Sequence, residues 1–514
     1  MNDHPAGAAA LLRDHGLEGC EAALGAYIVR QRWAGAQGRT IESIEVVDAA
    51  VINEQSPVLL HTLTAVTYAD GATVRYALPL GVRGVDDPLA ERAPDYLIPW
   101  AEAPKPLLLY DAVGDPAYVE WLLEAIRERR VYATSTGEVR CDCPDPALLD
   151  RGTLSSVRYL KVEQSNTSVE VGDSIFFKHL RRVEAGPSHE LEMSEALAAA
   201  GFTHVAPMLG RAVWAPAGAA PSLLVLVQRF LHNSSEGWAL ALTSLRALFA
   251  EVESMGLRDP AESRAAVASQ DASFITESMR LGKALAELHL ALAGPLPDPA
   301  MAPAPLTKAV LDRWASGMIA ELDALLTRAN ASLDPLRAAR DAVAGAFERL
   351  RELPAGGLLT RIHGDLHLGQ LLRVDTGWVV LDFEGEPDRS PEQRRELTTP
   401  LCDVAGMLRS FDYAAAAAIH ERAAPGTAEA NLLLGYGDAW AEDNRDAFWT
   451  SYLATIGPNP LLPPPAQALV IRRAFELQKA VYEIGYELGH RPAWVQIPLR
   501  FLLGADGATG TARG

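Results

Sequence analysis

One stretch constrains this chain more than any other: His363-Gly364-Asp365-Leu366-His367-Leu368-Gly369-Gln370 and the segment after it. Leu371-Leu372-Arg373-Val374 and Trp378-Val379-Val380-Leu381-Asp382-Phe383 read as two short strands. Asp375-Thr376-Gly377 between them carries the Asp and Gly of a hairpin turn. A hairpin returns the chain to its starting point, so it delivers Asp382-Phe383-Glu384 to the loop holding Asp365 and Gln370. Three oxygen-bearing side chains then converge. One carboxylate, Asp365, suits the acceptance of a hydroxyl proton, and Gln370 and Asp382 suit a Mg²⁺ ion on a nucleotide. Two other readings stay open on the octapeptide alone. His363, Asp365 and His367 can be loop residues capping a helix, or His-x-Asp-x-His can offer imidazoles to a transition metal.

The octapeptide and hairpin resemble the aminoglycoside and choline phosphotransferase superfamily, relatives of protein kinases whose catalytic loop reads HGD with a metal-binding amide five residues on. Here that amide is Gln370, where many members have Asn, and Asp382 matches the Asp that opens the metal-binding triplet. The resemblance implies an α+β fold: a bilobal, protein-kinase-like (aminoglycoside phosphotransferase) architecture using ATP and Mg²⁺.

A chain of 514 residues is too long for one ordinary core, so two or three domains or lobes are expected. With 49% hydrophobic and 22% charged residues it reads as globular. Its net charge of -20 opposes nucleic acid or an anionic membrane as partner, because a phosphate surface repels it. Cys141 and Cys143 form a single close pair without a second pair at zinc spacing, which argues against a structural metal. The N-terminus has Asp3 and Asp14 and lacks an apolar signal core, and no apolar run reaches membrane-spanning length. The expectation is a cytoplasmic protein, a monomer or weak dimer, whose partners are small molecules.

Residues 1–150 read as an α+β cap domain. A helical pattern from Ala8 to Val29 precedes the Gly-punctuated loop Gln31–Arg39, and Ile41 to Val51, Val58 to Tyr68 and Thr73 to Leu80 alternate like antiparallel strands. The Arg-Trp-x-x-x-x-Gly-Arg loop resembles the signature of the maltokinase N-terminal cap domain, with Trp33 and Arg39 read as pinning the loop.

Residues 151–235 read as a kinase-like N-lobe holding the nucleotide site and hinge. Ser174 to Lys178 is a strand ending in its only Lys, which suits gripping the α- and β-phosphates and pairing with a Glu of the next helix, Ser188–Ala200. Glu192 is the first choice of partner and Glu190 the second. No G-x-G-x-x-G is present, so Ser165 and Asn166 are expected to help cradle phosphates through backbone N–H and hydroxyl groups. The apolar run Leu223–Val227 leads into Gln228, Arg229 and Phe230, expected as the hinge lining the adenine pocket.

Residues 236–514 read as a mostly helical C-lobe with the catalytic hairpin and the acceptor site. His289, beside the apolar face of a helix over 274–292, reads as a hydrogen-bonded core residue. Glu384-Gly385-Glu386-Pro387 and the run Asp403 to Tyr413 resemble the maltokinase pattern of DFEGEP followed by a D-V-A-G-M helix. In the final helix, over 466–489, Lys479, Tyr482, Glu483 and Tyr486 share one face at i, i+3, i+4 and i+7. Aromatic rings with an acid and a base on one stripe suit a sugar, whose hydroxyls need polar partners and whose CH faces stack on rings. Asp403, Lys479, Tyr482, Glu483, Glu487 and Trp494 are therefore the expected acceptor residues.

The resemblance implies a sugar kinase. Maltokinases usually carry Asp before the Lys of the last helix, whereas this chain has Gln478. Together with an acid-rich set of side chains, that departure resembles actinobacterial maltokinase-like enzymes that phosphorylate glucosamine at its 6-hydroxyl. Glucosamine is thus the first expected acceptor, maltose the second and an aminoglycoside the third. A non-catalytic nucleotide-binding scaffold is the alternative from another class.

Overall fold

The computed structural model describes residues 17, 19–36, 38–100, 107–149, 156–160, 165–256, 260–424 and 426–504, giving backbone alone for 260–273. The chain divides into two compact units, Met1–Glu192 with Ala206–His232, and Met193–Val205 with Asn233–Gly514. The first part of the expected helix from Ala8 lies outside the described residues; its described helical part is α1, Glu21–Arg30.

The first unit is built on two antiparallel sheets. The first carries β1 (Ile41–Asn53), β2 (Val58–Tyr68), β3 (Thr73–Ala77), β4 (Leu80–Gly84), β5 (Leu97–Ile98) and β6 (Leu107–Asp111), in the order β1-β2-β4-β6-β5 with β3 also on β2. β2 is buried along nearly its whole length, unlike a strand with one wet face. Val58, Leu60 and Val66 pack with Leu24, Tyr27 and Ile28 of α1, while Leu59 and Leu63 face a second core. That second core joins the sheet to α2 (Pro116–Arg127) and to the other sheet through Val119, Leu122, Val169, Phe177 and Val225. The second sheet runs β7-β8-β12-β13-β11-β10-β9, from β7 (Val131–Ala133), β8 (Gly137–Asp142), β9 (Val157–Tyr159), β10 (Asn166–Val171), β11 (Ile175–Leu180), β12 (Met208–Pro216) and β13 (Ser222–Arg229).

Two buried carboxylates tie these sheets together. Asp48 on β1 accepts bonds from the Ser135 N–H at 3.0 Å, the Ser135 hydroxyl at 2.8 Å and Trp214 Nε1 at 2.8 Å. Asp111, at the end of β6, meets Arg181 at 2.9 Å with both side chains almost fully enclosed. Each buried charge is thus paired or hydrogen-bonded, as burial demands. In the Gln31–Arg39 loop, Trp33 packs edge-on against Tyr76 and under the Arg181 guanidinium. Arg39 pairs with Asp70 at 2.9 Å and lies over the Tyr68 ring. Both residues pin the loop, as the sequence leads one to expect.

The second unit is helical around one short hairpin. α3 (His189–Ala199) ends in it, followed by α4 (Gly237–Ser254), α5 (Pro260–Leu292), α6 (Lys308–Leu326), α7 (Arg340–Glu348), α8 (Leu401–Arg422), α9 (Ala428–Ile456), α10 (Pro465–His490) and α11 (Gln496–Leu503). The hairpin is β14 (Leu371–Val374) and β15 (Gly377–Val380), with Val374 opposite Gly377. The loop is therefore the two residues Asp375-Thr376, and Gly377 belongs to the strand. Among the described residues, α8 is the central helix. Val404, Met407 and Leu408 enter a core with α4, α5 and α9, while Leu401 and Ala405 enter another with α6, α7 and α10. Enclosure on several sides explains its alanines and glycine, since large side chains leave no room for neighbouring helices. No helix among the described residues is long and apolar enough to cross a membrane.

The tightest helix contact is at Gly282 of α5, where an added Cβ would overlap the backbone carbonyl of Phe448 on α9. Backbone cannot swing aside as a side chain can, so Gly282→Ala is expected to cost about 1–3 kcal/mol of stability despite alanine's better helix propensity. Chemical denaturation measures this; an unchanged or raised midpoint would contradict the close approach.

Candidate active site

In the second unit the hairpin does what the sequence implies. Leu381 N–H donates to the Gln370 carbonyl at 2.9 Å, and the Gln370 side-chain amide lies 3.4 Å from the Asp382 carboxylate. The expected strand over 378–383 stops at Val380. Asp382 takes a positive φ of 61°, a left-handed conformation that a ladder cannot accommodate but that Asp tolerates better than most residues. That turn aims its carboxylate toward Gln370. His367 lies within the electrostatic reach of Asp365, Asp382, His363 and Lys479 together, which locates the three expected side chains in one neighbourhood.

The loop before the hairpin is held from behind. His363 N–H donates to one oxygen of Asp403 at 2.8 Å, and Gly364 N–H, at φ 87°, donates to the other at 2.9 Å. His289 on α5 lies 3.2 Å from the same carboxylate and 2.9 Å from the Tyr452 hydroxyl. A proton on His289 Nε2 serves Asp403 and leaves Nδ1 to accept from Tyr452. His363 repeats the logic: Nε2 sits 2.7 Å from the Leu381 carbonyl, so Nδ1 is free to accept the Asp365 N–H at 3.3 Å. The carbonyl at Nε2 and the N–H at Nδ1 give the His363 ring a defined tautomer. Burial pushes the Asp403 carboxyl up, but His289, His363 and the Gly364 N–H outweigh it and hold it below the usual carboxylate range. His289 is the hydrogen-bonded core residue it was expected to be. Asp403, expected to face the acceptor, spends both oxygens on the loop instead.

Beside this loop lies a cavity of about 540 Å³, lined by Asp365, Glu386, Asp388, Lys479, Tyr482 and Tyr486 among others. Lys479 Nζ reaches Asp365 at 3.1 Å and Glu386 at 2.7 Å, and Tyr482 donates to Asp388 at 3.2 Å. Three expected acceptor residues, Asp403, Lys479 and Tyr482, thus line the cavity, although both Asp403 oxygens are bonded to the loop. Glu483 and Glu487 do not line it. Glu483 is paired with buried Arg409 at 2.7 Å, and Glu487 with Arg491 at 2.7 Å. The reason is rotation at 100° per residue: Tyr482 and Tyr486 fall about 60° and 20° to one side of Lys479, Glu483 and Glu487 about 40° and 80° to the other. Only the first side faces the cavity. Trp494 is also elsewhere, stacked on His420 at 5.5 Å. Glu386 and Asp388 went unassigned in the sequence reading, although the acid-rich run Glu384–Asp388 was the signal for them.

The first unit holds the other expected group. Lys178 Nζ lies 2.9 and 3.0 Å from the two oxygens of Glu190, and both side chains are buried. Its partner is therefore Glu190 rather than the favoured Glu192, which sits two residues and some 200° further round α3. β11 continues past Lys178 to Leu180, which encloses the lysine instead of leaving it at a frayed end. Ser168 stands directly opposite Lys178 in the ladder, Asn166 opposite Leu180, and Ser165 just precedes β10. At the expected hinge, Gln228 closes the sheet between Phe176 and Met208. Arg229 N–H is given to the Pro207 carbonyl and Phe230 N–H to that of Ser174, both at 2.9 Å or less. Those two donors are already engaged within the unit, so a base lined by these residues would have to use other backbone groups.

Comparison with known proteins fits this geometry. Residues 27–115 match the family model of the maltokinase N-terminal cap domain, and residues 157–448 that of the phosphotransferase enzyme family. The chain is 30% identical over 347 residues to a glucosamine kinase of Mycolicibacterium smegmatis, covering 67% of this chain and 78% of that one. It is 29% identical over 357 residues to a glucosamine kinase of Streptacidiphilus jiangxiensis, covering 67% and 72%. A solved glucosamine kinase in complex with glucosamine, ADP and inorganic phosphate shares the fold over 94% of this chain and 99% of its own, with a TM-score of 0.62 and 22% identity.

Asp403→Ala tests the loop's support. It strands two loop N–H donors and His289, each costing about 1–3 kcal/mol when unsatisfied. The expected result is a clearly lowered melting temperature together with a collapse of phosphotransfer. Retention of both would show that the loop holds itself.

Proposed function

This chain belongs to the phosphotransferase enzyme family and carries a maltokinase N-terminal cap domain, and from that premise we propose that it transfers the γ-phosphoryl group of ATP to the 6-hydroxyl of D-glucosamine. The observation that carries the acceptor is the charge of the cavity. Five carboxylates line it, Glu321, Asp365, Glu386, Asp388 and Asp403, against three cations, Arg328, Arg389 and Lys479. An ammonium-bearing sugar gains from such a lining both charge-assisted hydrogen bonds and ion pairing; a neutral disaccharide gains the hydrogen bonds alone. The glucosamine kinases that resemble this chain support the same choice. Gln478, which departs from the maltokinase pattern, is bonded to Glu321 at 2.8 Å on the cavity wall.

In this reading Asp365 accepts the proton of the sugar hydroxyl, and its ionised form is favoured. Burial alone pushes its carboxyl up, yet Lys479, His367 and His363 bring it below the ordinary value. Gln370 and Asp382 offer oxygen donors, the chemistry Mg²⁺ selects, once the Gln370 amide turns its oxygen toward Asp382. Magnesium held there supplies charge neutralisation on the nucleotide phosphates. Lys178, fixed by Glu190, binds the α- and β-phosphates, with Ser165 and Asn166 beside them. The work of the chain is positioning and electrostatics. We place the enzyme in the cytoplasm, as a monomer or weak dimer, where ATP is available and its four free thiols stay reduced.

The maltokinase cap keeps maltose as the second reading. ADP release coupled to product identification, run with glucosamine and maltose, separates the two. Glucosamine is expected to win by about tenfold or more in kcat/KM, equivalent to about 1.4 kcal/mol of recognition. Asp365→Asn is expected to lower kcat on the order of 10²- to 10⁴-fold with ATP binding retained. Preference for maltose overturns the acceptor, near-normal Asp365→Asn turnover overturns the base, and ATP binding without any turnover favours a scaffold.

A further inference from the structure

We propose that Lys479 is the positioning residue for the catalytic carboxylate: the last long helix supplies an ammonium that ties Asp365 to Glu386 and fixes the base before the sugar arrives. This rests on the reading of Asp365 as base, and differs from the expectation that Lys479 is a sugar ligand.

The geometry is a carboxylate, an ammonium and a carboxylate in line. Nζ is within hydrogen-bonding distance of both Asp365 Oδ1 and Glu386 Oε1, and its side chain is only 21% exposed. Glu386 is held in turn by Arg389 at 2.6 Å, and the Lys479 ammonium lies 4.8 Å from the centre of the Tyr482 ring. Lys479 Nζ is the hydrogen-bond and ion-pair partner of the Asp365 carboxylate, whereas the nearby His367 and His363 belong to its own loop. Lys479 is therefore the contact that fixes this carboxylate from outside the loop. One turn further along α10, Glu483 is locked to Arg409 of α8, which fixes the rotation of the helix that presents Lys479.

The contact matters for the reaction because of what Asp365 must do. The sugar oxygen forms a bond to the γ-phosphorus while the bond from that phosphorus to the bridging oxygen breaks. ADP leaves with the electron pair, and the hydroxyl proton passes to Asp365. A base acts only while it is ionised and aimed at the hydroxyl. Without Lys479, Asp365 would lose its cationic hydrogen-bond partner beside a Glu386 that keeps Arg389, so Asp365 would tend to protonate or turn away.

The two roles of Lys479 separate in the kinetics. A sugar ligand that binds ground and transition states alike raises the sugar KM and spares kcat; a positioning residue lowers kcat and spares both KM values. For Lys479→Met in the full-length protein, kcat is expected to fall on the order of 10²-fold, the scale of a misplacement of about 1 Å. ATP and sugar KM values should stay within about threefold of wild type. Lys479→Arg, which can still bridge two carboxylates, should recover about tenfold of that loss. Glu386→Gln should also lower kcat, and Lys479→Met with Glu386→Gln should be no slower than Lys479→Met alone, because both act through one contact. All are assayed with whichever sugar the wild type phosphorylates, so inert glucosamine overturns the acceptor while leaving this test standing. A Lys479→Met enzyme with normal kcat and a raised sugar KM overturns the proposal, as do additive losses in the double variant.

Discussion

The buried carboxylate of Asp403 is the fixed point of the catalytic unit. It lies at the start of α8, the helix enclosed by its neighbours, and takes two backbone N–H groups of the His363–Gly364 turn and the ring of His289. Three separate parts of the chain thus meet at one charge: a helix before the loop, the loop itself and a helix after it. A charge so enclosed is costly unless every lone pair is answered, and here the answering groups are the ones that set the loop's conformation. The energetic demand of burying Asp403 and the geometric demand of holding Asp365 are met by the same bonds. Gly406, one turn further along α8, shows how close the arrangement is: an added Cβ would stand 2.5 Å from the Leu366 carbonyl.

The sequence revealed the hairpin and its neighbours because their signals are local. Asp375-Thr376-Gly377 between β-formers makes a turn wherever it occurs, and a turn of that length brings Asp382 back to Gln370. The amide spacing from Asp365 adds a second, independent constraint. His289 was legible for a similar reason, since a lone His on an apolar helix face must find partners. What escaped was the assignment of partners across long separations. Glu190 and Glu192 are equal as letters, and only the phase of α3 relative to β11 decides which meets Lys178. Likewise Lys479, Tyr482, Glu483 and Tyr486 share a stripe on paper, but the stripe spans about 100° and the cavity takes only part of it. Asp403 shows the same limit: an acid beside a catalytic motif reads equally as ligand or as support, and the sequence does not show that both its oxygens hold the loop.

The hinge illustrates a further limit. An apolar strand with a polar exit marks β13 and its end, but backbone donors have no side-chain signature. Only coordinates show that the N–H groups of Arg229 and Phe230 are already engaged. The first unit carries a comparable lesson about the cap. Read strand by strand, residues 41–80 look like a free-standing module with one wet face. β2 is instead buried on both faces, against α1 on one side and against the second sheet's core on the other. Hydrophobic alternation is absent there because two cores need covering, and Asp48 and Asp111 carry polar anchors through the same boundary.

Charge economy links these observations. The chain is strongly acidic, and inside the catalytic unit its enclosed acids are met one by one: Asp403 by His289 and two N–H groups, Glu483 by Arg409, Glu476 by Arg445 at 2.6 Å. The cavity is where this matching stops. Asp388 accepts a phenol and Glu321 an amide, both neutral donors, while Glu386 has Arg389 and shares Lys479 with Asp365. A cavity lined by five carboxylates against three cations favours a cationic occupant. The acid that defines the chain's composition is compensated where it supports the fold, and left partly uncompensated where a positively charged acceptor would enter.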